Sequence, residues 1–146
     1  YYSVNLINTL IQMGRTEEAI SLLASAIEKA PNNAQLYDVM GKLYETTDED
    51  KSLEWYGKAL AIDPEFTESN FNMGRVYYNK AVTLKSSDKC DAATDKKITE
   101  LFQKALPYLE KVYEKNPDQC YYVLAQVYYN LKMGDKYDVI KAAYGL

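Results

Sequence analysis

Few side chains in this chain are equipped for bond-making chemistry. Histidine is absent, which removes the commonest general acid–base and the commonest zinc ligand. Without it no Ser- or Cys-centred triad can be assembled. There is no glycine-rich phosphate loop, and nothing marks a Ser–Lys or carboxylate pair. Two acidic clusters occur, Asp48-Glu49-Asp50 and the set Asp88, Asp91 and Asp95. A calcium loop needs a glycine at its bend and a bidentate Glu at its end, and neither stretch supplies both. Their simpler use is at helix N-termini, where the helix dipole favours carboxylates. The two thiols, Cys90 and Cys120, are separated by an expected helix of ~20 residues, hence by ~30 Å. A disulfide needs Cα atoms within ~7 Å, so separate free thiols are expected. No enzyme activity, metal or cofactor is expected from these letters.

What remains is binding chemistry. Tyrosine occurs 15 times, against three Phe and one Trp. Its ring gives contact area while its hydroxyl keeps a hydrogen-bonding tip. At helical spacing, one face carries Glu68, Phe71, Arg75 and Tyr78, with Asn72 and Asn79 beside them. A second carries Tyr122, Gln126 and Tyr129, with Asn130 adjacent. Earlier counterparts are Gln35, Asp38, Lys42 and Glu45, and before them Val4, Asn8 and Ile11 with Gln12. Rings flanked by amides and Arg suit an extended peptide, because amides bond its backbone. The candidate contacts are Asn8, Lys42, Phe71, Asn72, Arg75, Tyr78, Asn79, Tyr122, Gln126 and Tyr129. The competing use of these rings is packing against neighbouring helices.

The elements that must position this stripe are helices in pairs. Pro31, Pro64 and Pro117 each follow an apolar run of one pattern: Ala19, Leu23 and Ala26; Ser52, Tyr56 and Ala59; Ala105, Leu109 and Val112. After Pro31 come Met40-Gly41 and Tyr44; after Pro64 come Met73-Gly74 and Tyr77. Pro31 and Pro64 stand 33 residues apart. Such a period with two helices per unit marks a helical solenoid. Small residues at Ser52, Ala59 and Gly74 let helices approach closely, and Tyr56, Met73 and Tyr77 fill the space between them. The spacing predicts eight helices, over Tyr2–Met13, Thr16–Lys29, Asn33–Glu45, Glu49–Ala61, Glu65–Leu84, Asp95–Lys115, Asp118–Leu131 and Lys136–Tyr144. Thr16, Asp48 and Asp135 are expected N-caps, and Gly14 and Gly134 are expected tight turns. Pro64 to Pro117 is 53 residues, 20 more than the preceding interval. Apolar spacing continues on both sides of the excess, through Ala81 and Leu84 and through Ile98, Leu101 and Phe102. A longer helical hairpin over 82–98 follows, in which Pro107 should bend the second helix or end a segment near Lys104.

These residues resemble the tetratricopeptide repeat, whose unit of about 34 residues follows W-x2-L-G-x2-Y…A-x3-F…P. The second unit matches at Tyr37, Met40-Gly41, Tyr44, Ser52, Tyr56, Ala59 and Pro64. The third matches at Met73-Gly74, Tyr77, Ala105, Leu109, Val112 and Pro117, with Asn70 where the family prefers an aromatic. The first gives Leu6, Leu10, Ala19, Leu23, Ala26 and Pro31, with Ile7 replacing the small residue. The fourth gives Tyr121, Leu124-Ala125 and Tyr128, then Val139 and Ala143. The resemblance implies one all-α domain over 1–146, a right-handed α-solenoid of about four antiparallel helix pairs with the third elongated. Its repeats would be 1–32, 33–65, 66–117 and 118–146. It implies a non-catalytic scaffold whose first helices line a concave groove for a protein or peptide; the alternatives are a self-associating structural module and the repeat region of a larger cell-envelope or transport-associated protein. Some family members hold a C-terminal carboxylate at positions that fall here on Val4, Asn8, Val39, Glu68 and Asn72. Asn8 alone matches, and Glu68 reverses the charge, so that clamp is not expected. Extended third units look like those of bacterial, often exported, members, which points to a bacterial periplasm with the cytoplasm as alternative.

The totals narrow the partners. The chain has 146 residues, 47% of them apolar, and a net charge of −4, enough for one core. That charge disfavours nucleic-acid backbones and anionic membranes, which recruit clustered Lys and Arg. No apolar run approaches the ~20 residues that span a bilayer. The chain has no initiator Met and opens inside an apolar pattern, as a fragment of a longer protein would. Its first helix, with Leu6, Ile7, Leu10 and Ile11, and its last, with Ala142, Ala143 and Tyr144, lack the polar caps that solenoid ends carry. Flanking repeats, or pairing of end helices in a homodimer, would cover them.

Overall fold

The computed structural model describes residues 4–88 and 91–146, so Cys90 and the expectation of a free thiol there lie outside the described residues. The described residues form eight α-helices and no strand. They fall into two compact units, one reaching Ser69 and one starting at Asn70.

The first unit holds α1 (Val4–Gln12), α2 (Thr16–Lys29), α3 (Ala34–Tyr44) and α4 (Glu49–Ile62). Ile7, Leu10, Ala19, Leu23, Leu36, Val39, Met40 and Leu43 form its buried cluster. The period explains this list, since each helix places its apolar stripe on the side that meets its partner. Leu6, which stands where Met40 and Met73 are buried, is 41% exposed. Asn33 caps α3 by accepting the Gln35 amide at 3.2 Å, and Asp48 caps α4 by accepting that of Lys51 at 3.1 Å. Asp63 accepts the Glu65 amide at 3.0 Å, ahead of the next helix. Thr16 is not a cap: it is already the first residue of α2, and Arg15 precedes it without a side-chain cap bond.

The second unit is built from α5 (Thr67–Lys85, which begins just before the boundary), α6 (Ala92–Lys115), α7 (Pro117–Asn130) and α8 (Gly134–Tyr144). The third pair is elongated, with 19 residues in α5 and 24 in α6. Ala81, Phe102, Ala105, Leu109, Val112, Leu124, Ala125 and Val127 form the centre of its core. Asp91 caps α6, accepting the Thr94 amide at 2.6 Å. Burial does not oppose that carboxylate much: its hydrogen bonds with Thr94 hold it below its ordinary pKa. Pro107 does not end a segment near Lys104, because α6 runs unbroken through it. Pro107 and Gln103 are both exposed, so water can take the carbonyl that proline leaves without a donor. In the fourth pair the buried residue is Ile140, at 2% exposure, not Val139, at 66%; Ala143 is exposed as well. Asp135 does not cap α8, whose helix begins one residue before it.

Two glycines set the distance within pairs. A methyl on Gly41 would fall 2.5 Å from the Tyr56 ring, and one on Gly74 would fall 2.6 Å from Leu109 Cγ. Gly41 and Tyr56 are 15 residues apart, Gly74 and Leu109 are 35 apart, and the difference equals the 20-residue excess in the third unit. The insertion therefore lengthens the hairpin without changing which residues meet at its base. Carboxylates and tyrosine hydroxyls tie the pairs together. Tyr56 donates to Glu45. Tyr128 donates to Glu110 at 2.7 Å, and Lys136 pairs with the same oxygen at 2.8 Å. Tyr144 donates to Asp118 at 2.9 Å and stacks on Tyr121 with centroids 4.0 Å apart.

Gly74→Ala is expected to destabilise by about 1–3 kcal/mol through overpacking, despite the 0.5–1 kcal/mol or so that Ala ordinarily gains over Gly in a helix. Gly57, in α4, has no atom within 4 Å of an added methyl. Gly57→Ala should therefore show that gain alone, and urea unfolding of the two variants would separate the effects. A second expectation concerns acid. Partial burial pushes the Glu110 carboxyl up, but hydrogen bonds from Lys136 and Tyr128 outweigh it and hold the pKa below its usual 4.5. A depressed carboxylate stabilises the fold above the unfolded value and loses that contribution as pH falls through the folded one. Glu110→Gln should lower the melting temperature at neutral pH and flatten its decline below about pH 4.5.

Candidate functional site

The stripe that combines exposure with close approach between helices lies in the second unit, on α5 and α7. The C-terminal ends of these helices are joined, Lys85 Nζ of α5 donating to Asn130 Oδ1 of α7 at 2.7 Å. With those ends together, the two helices run in the same sense. Such an arrangement follows when each returns through an antiparallel partner, here α6 for α5.

The expected residues divide by environment. Phe71 and Tyr78 are half-buried and pack on the second core, Tyr78 with its ring 6.0 Å from that of Phe102. Burial and then the neighbouring Tyr122 push the Tyr78 hydroxyl above its ordinary pKa. Asn72 is buried and accepts from Arg75 Nη2 at 3.3 Å, so the half-buried Arg75 is oriented from its own helix. Asn79 is exposed, and Gln126 is half-buried. Tyr122 and Tyr129 are 55% and 64% exposed. Among the described residues neither hydroxyl has a carboxylate partner, unlike those of Tyr56, Tyr128 and Tyr144. Packing and availability thus occur on one face: Phe71 and Tyr78 are held, while Tyr122 and Tyr129 are open.

Asn8 and Lys42 belong to the first unit. Asn8 is exposed on α1. Lys42 is exposed and pairs at 2.9 Å with Asp38, which is only 2% exposed and also accepts the Ser69 hydroxyl at 2.7 Å. Asp38 shares the stripe spacing, yet it is a buried acceptor. Its role was not visible in the spacing, because Ser69 lies 31 residues away.

A cleft of ≈540 Å³ opens at the C-terminal ends of α5 and α7, with Lys85, Tyr129, Asn130, Lys132, Met133 and Tyr137 around it. Its lining does not follow from the spacing, which marks Gly134 as the turn residue, whereas Lys132 takes the left-handed backbone, at φ 58. The Met133 amide bonds the Tyr128 carbonyl at 2.9 Å, and the Lys132 amide bonds that of Tyr129 at 3.1 Å, the paired bonds of a Schellman ending. The first unit ends α1 in the same way, with Gly14 at φ 71 and Arg15 bonded to Leu10 at 2.8 Å. Aligning Leu10 with Tyr128 would have placed Lys132 opposite Gly14. A left-handed conformation costs an L-residue roughly 1–2 kcal/mol and glycine almost nothing.

Among the described residues no three Cys, Asp or Glu side chains gather as a metal site, and no helix is long and apolar enough to cross a membrane. Cys120 is buried and unpaired by disulfide, its thiol pushed up by burial to about 11, well above the range of reactive cysteines. No protein-family model and no curated protein matches the chain. Solved structures do. The human IFIT1 dimer with m7Gppp-AAAA superposes with a TM-score of 0.73 at 20% identity, over 94% of this chain and 31% of that one. The MamA protein superposes with a TM-score of 0.59 at 18% identity, over 98% of this chain and 75% of that one. The chain therefore spans about a third of the length of IFIT1. The likeness establishes an all-α, tetratricopeptide-type helical-repeat fold.

The division between held and open rings has a measurable consequence. Tyr78→Ala is expected to cost about 1–3 kcal/mol of stability, as partial loss of a core ring does. Tyr122→Ala should stay within about 0.5 kcal/mol of the parent, as surface changes do. Thermal unfolding by circular dichroism checks both.

Proposed function

We propose that this chain is a non-catalytic scaffold that holds an extended peptide or protein segment along the α5–α7 face. The observation that carries the reading is the exposure of Tyr122 and Tyr129 on α7, whose C-terminal end is bonded to that of α5 through Asn130 and Lys85. Large exposed rings grouped on one face mark interaction surfaces. Tyrosine is favoured there because it gives area at low entropic cost. Arg75, Asn79 and Gln126 supply the polar groups that a peptide backbone would bond. Asn8 and Lys42 remain proposed contacts of the first unit taken by itself. The capped RNA in the IFIT1 structure makes RNA the rival ligand class. The net charge of −4 opposes it, because nucleic-acid affinity comes chiefly from phosphate neutralisation by Lys and Arg. A second reading, self-association through the end helices, is favoured by Val139 on α8 and Leu6 on α1, at 66% and 41% exposure. A rising mass in a light-scattering dilution series would support it, and a constant monomer mass would remove it.

The peptide reading is tested with a random peptide library displayed against the folded chain. Selected peptides should lose about tenfold or more in affinity for the Tyr122→Ser, Tyr129→Ser double variant, as when anchors of a small interface are removed. Helicity should be unchanged. Equal binding by parent and variant would remove this face from the proposal.

A further inference from the structure

The cleft at the ends of α5 and α7 has a charge unlike that of the chain as a whole. The protein carries 21 acidic and 17 basic residues, yet Lys85 and Lys132 line the cleft and, among the described residues, no carboxylate does. Other lysines are neutralised close by, as Lys42 is by Asp38 and Lys136 by Glu110. Lys85 instead bonds a neutral acceptor, Asn130 Oδ1, and Asn130 is itself fixed by donating to the Gln126 carbonyl at 2.7 Å. The ammonium is thereby positioned with no carboxylate paired to it among the described residues and with donors to spare. Lys132 is held at φ 58, the one non-glycine residue at positive φ among the described residues. The equivalent turn of the first unit uses glycine. A strained residue in place of an easier one is a reason to look for function. Beside the two lysines stand Met133 and the tilted pair Tyr129 and Tyr137, with centroids 5.7 Å apart.

Resting on the peptide reading above, we infer that this cleft selects an acidic residue of the bound segment. Its carboxylate sits at Lys85 and Lys132, and a neighbouring apolar or aromatic side chain lies against Met133 and the Tyr129–Tyr137 pair. Tyr129 belongs both to the α5–α7 face and to the cleft, so one extended segment reaches both. Charge complementarity decides the partner class. Two lysines suit one or two carboxylates, whereas sequence-independent binding to a nucleic acid draws on many phosphate contacts along a strand.

The test uses the folded chain, the displayed library and two variants. Lys132→Gly puts the residue that the left-handed turn favours in place of the strained one, so its melting temperature should equal or exceed the parent's. Lys85→Gln changes an exposed side chain. Peptides selected on the parent should be enriched in Asp and Glu. A labelled member should bind each variant about three- to tenfold more weakly, and its affinity should fall as salt rises. Selected peptides without acidic enrichment, or equally tight binding by both variants, would overturn the inference. If binding resists the lysine changes but is lost in the Tyr122→Ser, Tyr129→Ser variant, the peptide face stands and the acidic subsite falls. If no peptide is selected, both fall. A labelled oligoadenylate that displaces the peptide, and whose own binding is lost on Lys132→Gly, would assign the cleft to phosphate and overturn the acidic-peptide assignment.

Discussion

The interaction on which the rest depends is the contact of a helix backbone with a bulky side chain of its partner, made possible by a missing methyl. Gly41 against Tyr56 and Gly74 against Leu109 are two instances, with room for no Cβ in either. Tyr56 and Leu109 are both completely buried. Packed interiors tolerate neither voids nor overlaps, so this contact fixes both the separation and the rotation of a pair. Where glycine is absent the pair must settle differently: Ala125 is buried in the fourth unit, and Ile7 in the first. Once rotation is fixed, the opposite face of each leading helix is fixed too. That is why Phe71, Arg75 and Tyr78 occupy one side of α5 while Met73 and Val76 are buried on the other.

Tolerance of the long insertion follows from the same contact. Helices α5 and α6 gain their extra turns beyond the Gly74–Leu109 crossing, and the added length carries its own core in Ala81, Ile98 and Phe102. The base register therefore survives. The extension also brings Lys85 level with the end of α7, where Asn130 receives it. Had α5 ended where a unit of ordinary length ends, the cleft would lack one of its two cations.

Much of this was legible in the letters, and the failures are physical. The period, the glycine positions and the prolines placed all eight helices and their pairing, because those signals come from backbone sterics, which act locally. Val139 and Ala143 were expected inside, yet Ile140 is the buried residue. One residue rotates a helix by 100°, and α8 has no glycine or proline contact to set its phase from sequence. Asp38 fits the spacing of an exposed stripe but finds Ser69 far along the chain, a pairing that only the fold reveals. Thr16 and Asp135 have the right chemistry for caps, but their helices begin at or before them. Lys132 broke the rule that a left-handed turn is marked by glycine, and so the cleft that it lines was invisible. Legibility ended where a residue does something its type disfavours, and strained or functional positions are where that is expected.

The tyrosines show how one residue type serves two purposes in this fold. Burying a ring with its hydroxyl unsatisfied costs about 1–3 kcal/mol, more than a typical hydrogen bond returns. Four inward tyrosines have an acceptor: Glu45 for Tyr56, Glu110 for Tyr128, Asp118 for Tyr144 and the Pro31 carbonyl for Tyr37. Three of these acceptors are carboxylates, and burial together with the carboxylate raises the pKa of each of those three hydroxyls. They stay protonated and donating across the physiological range, as struts between neighbouring helices. Tyr122 and Tyr129 stand outside this scheme, with rings in water and hydroxyls without a carboxylate acceptor. Water satisfies an exposed hydroxyl at no cost, but it does nothing for the ring. Exchanging that water for the apolar side of a bound segment stabilises a complex by about 25 cal/mol for each Å² covered, while the hydroxyl remains able to bond the segment's backbone. A tyrosine placed this way costs the free protein little and gives the complex both area and direction. The same residue type therefore braces helices at Tyr56, Tyr128 and Tyr144 and offers a surface at Tyr122 and Tyr129.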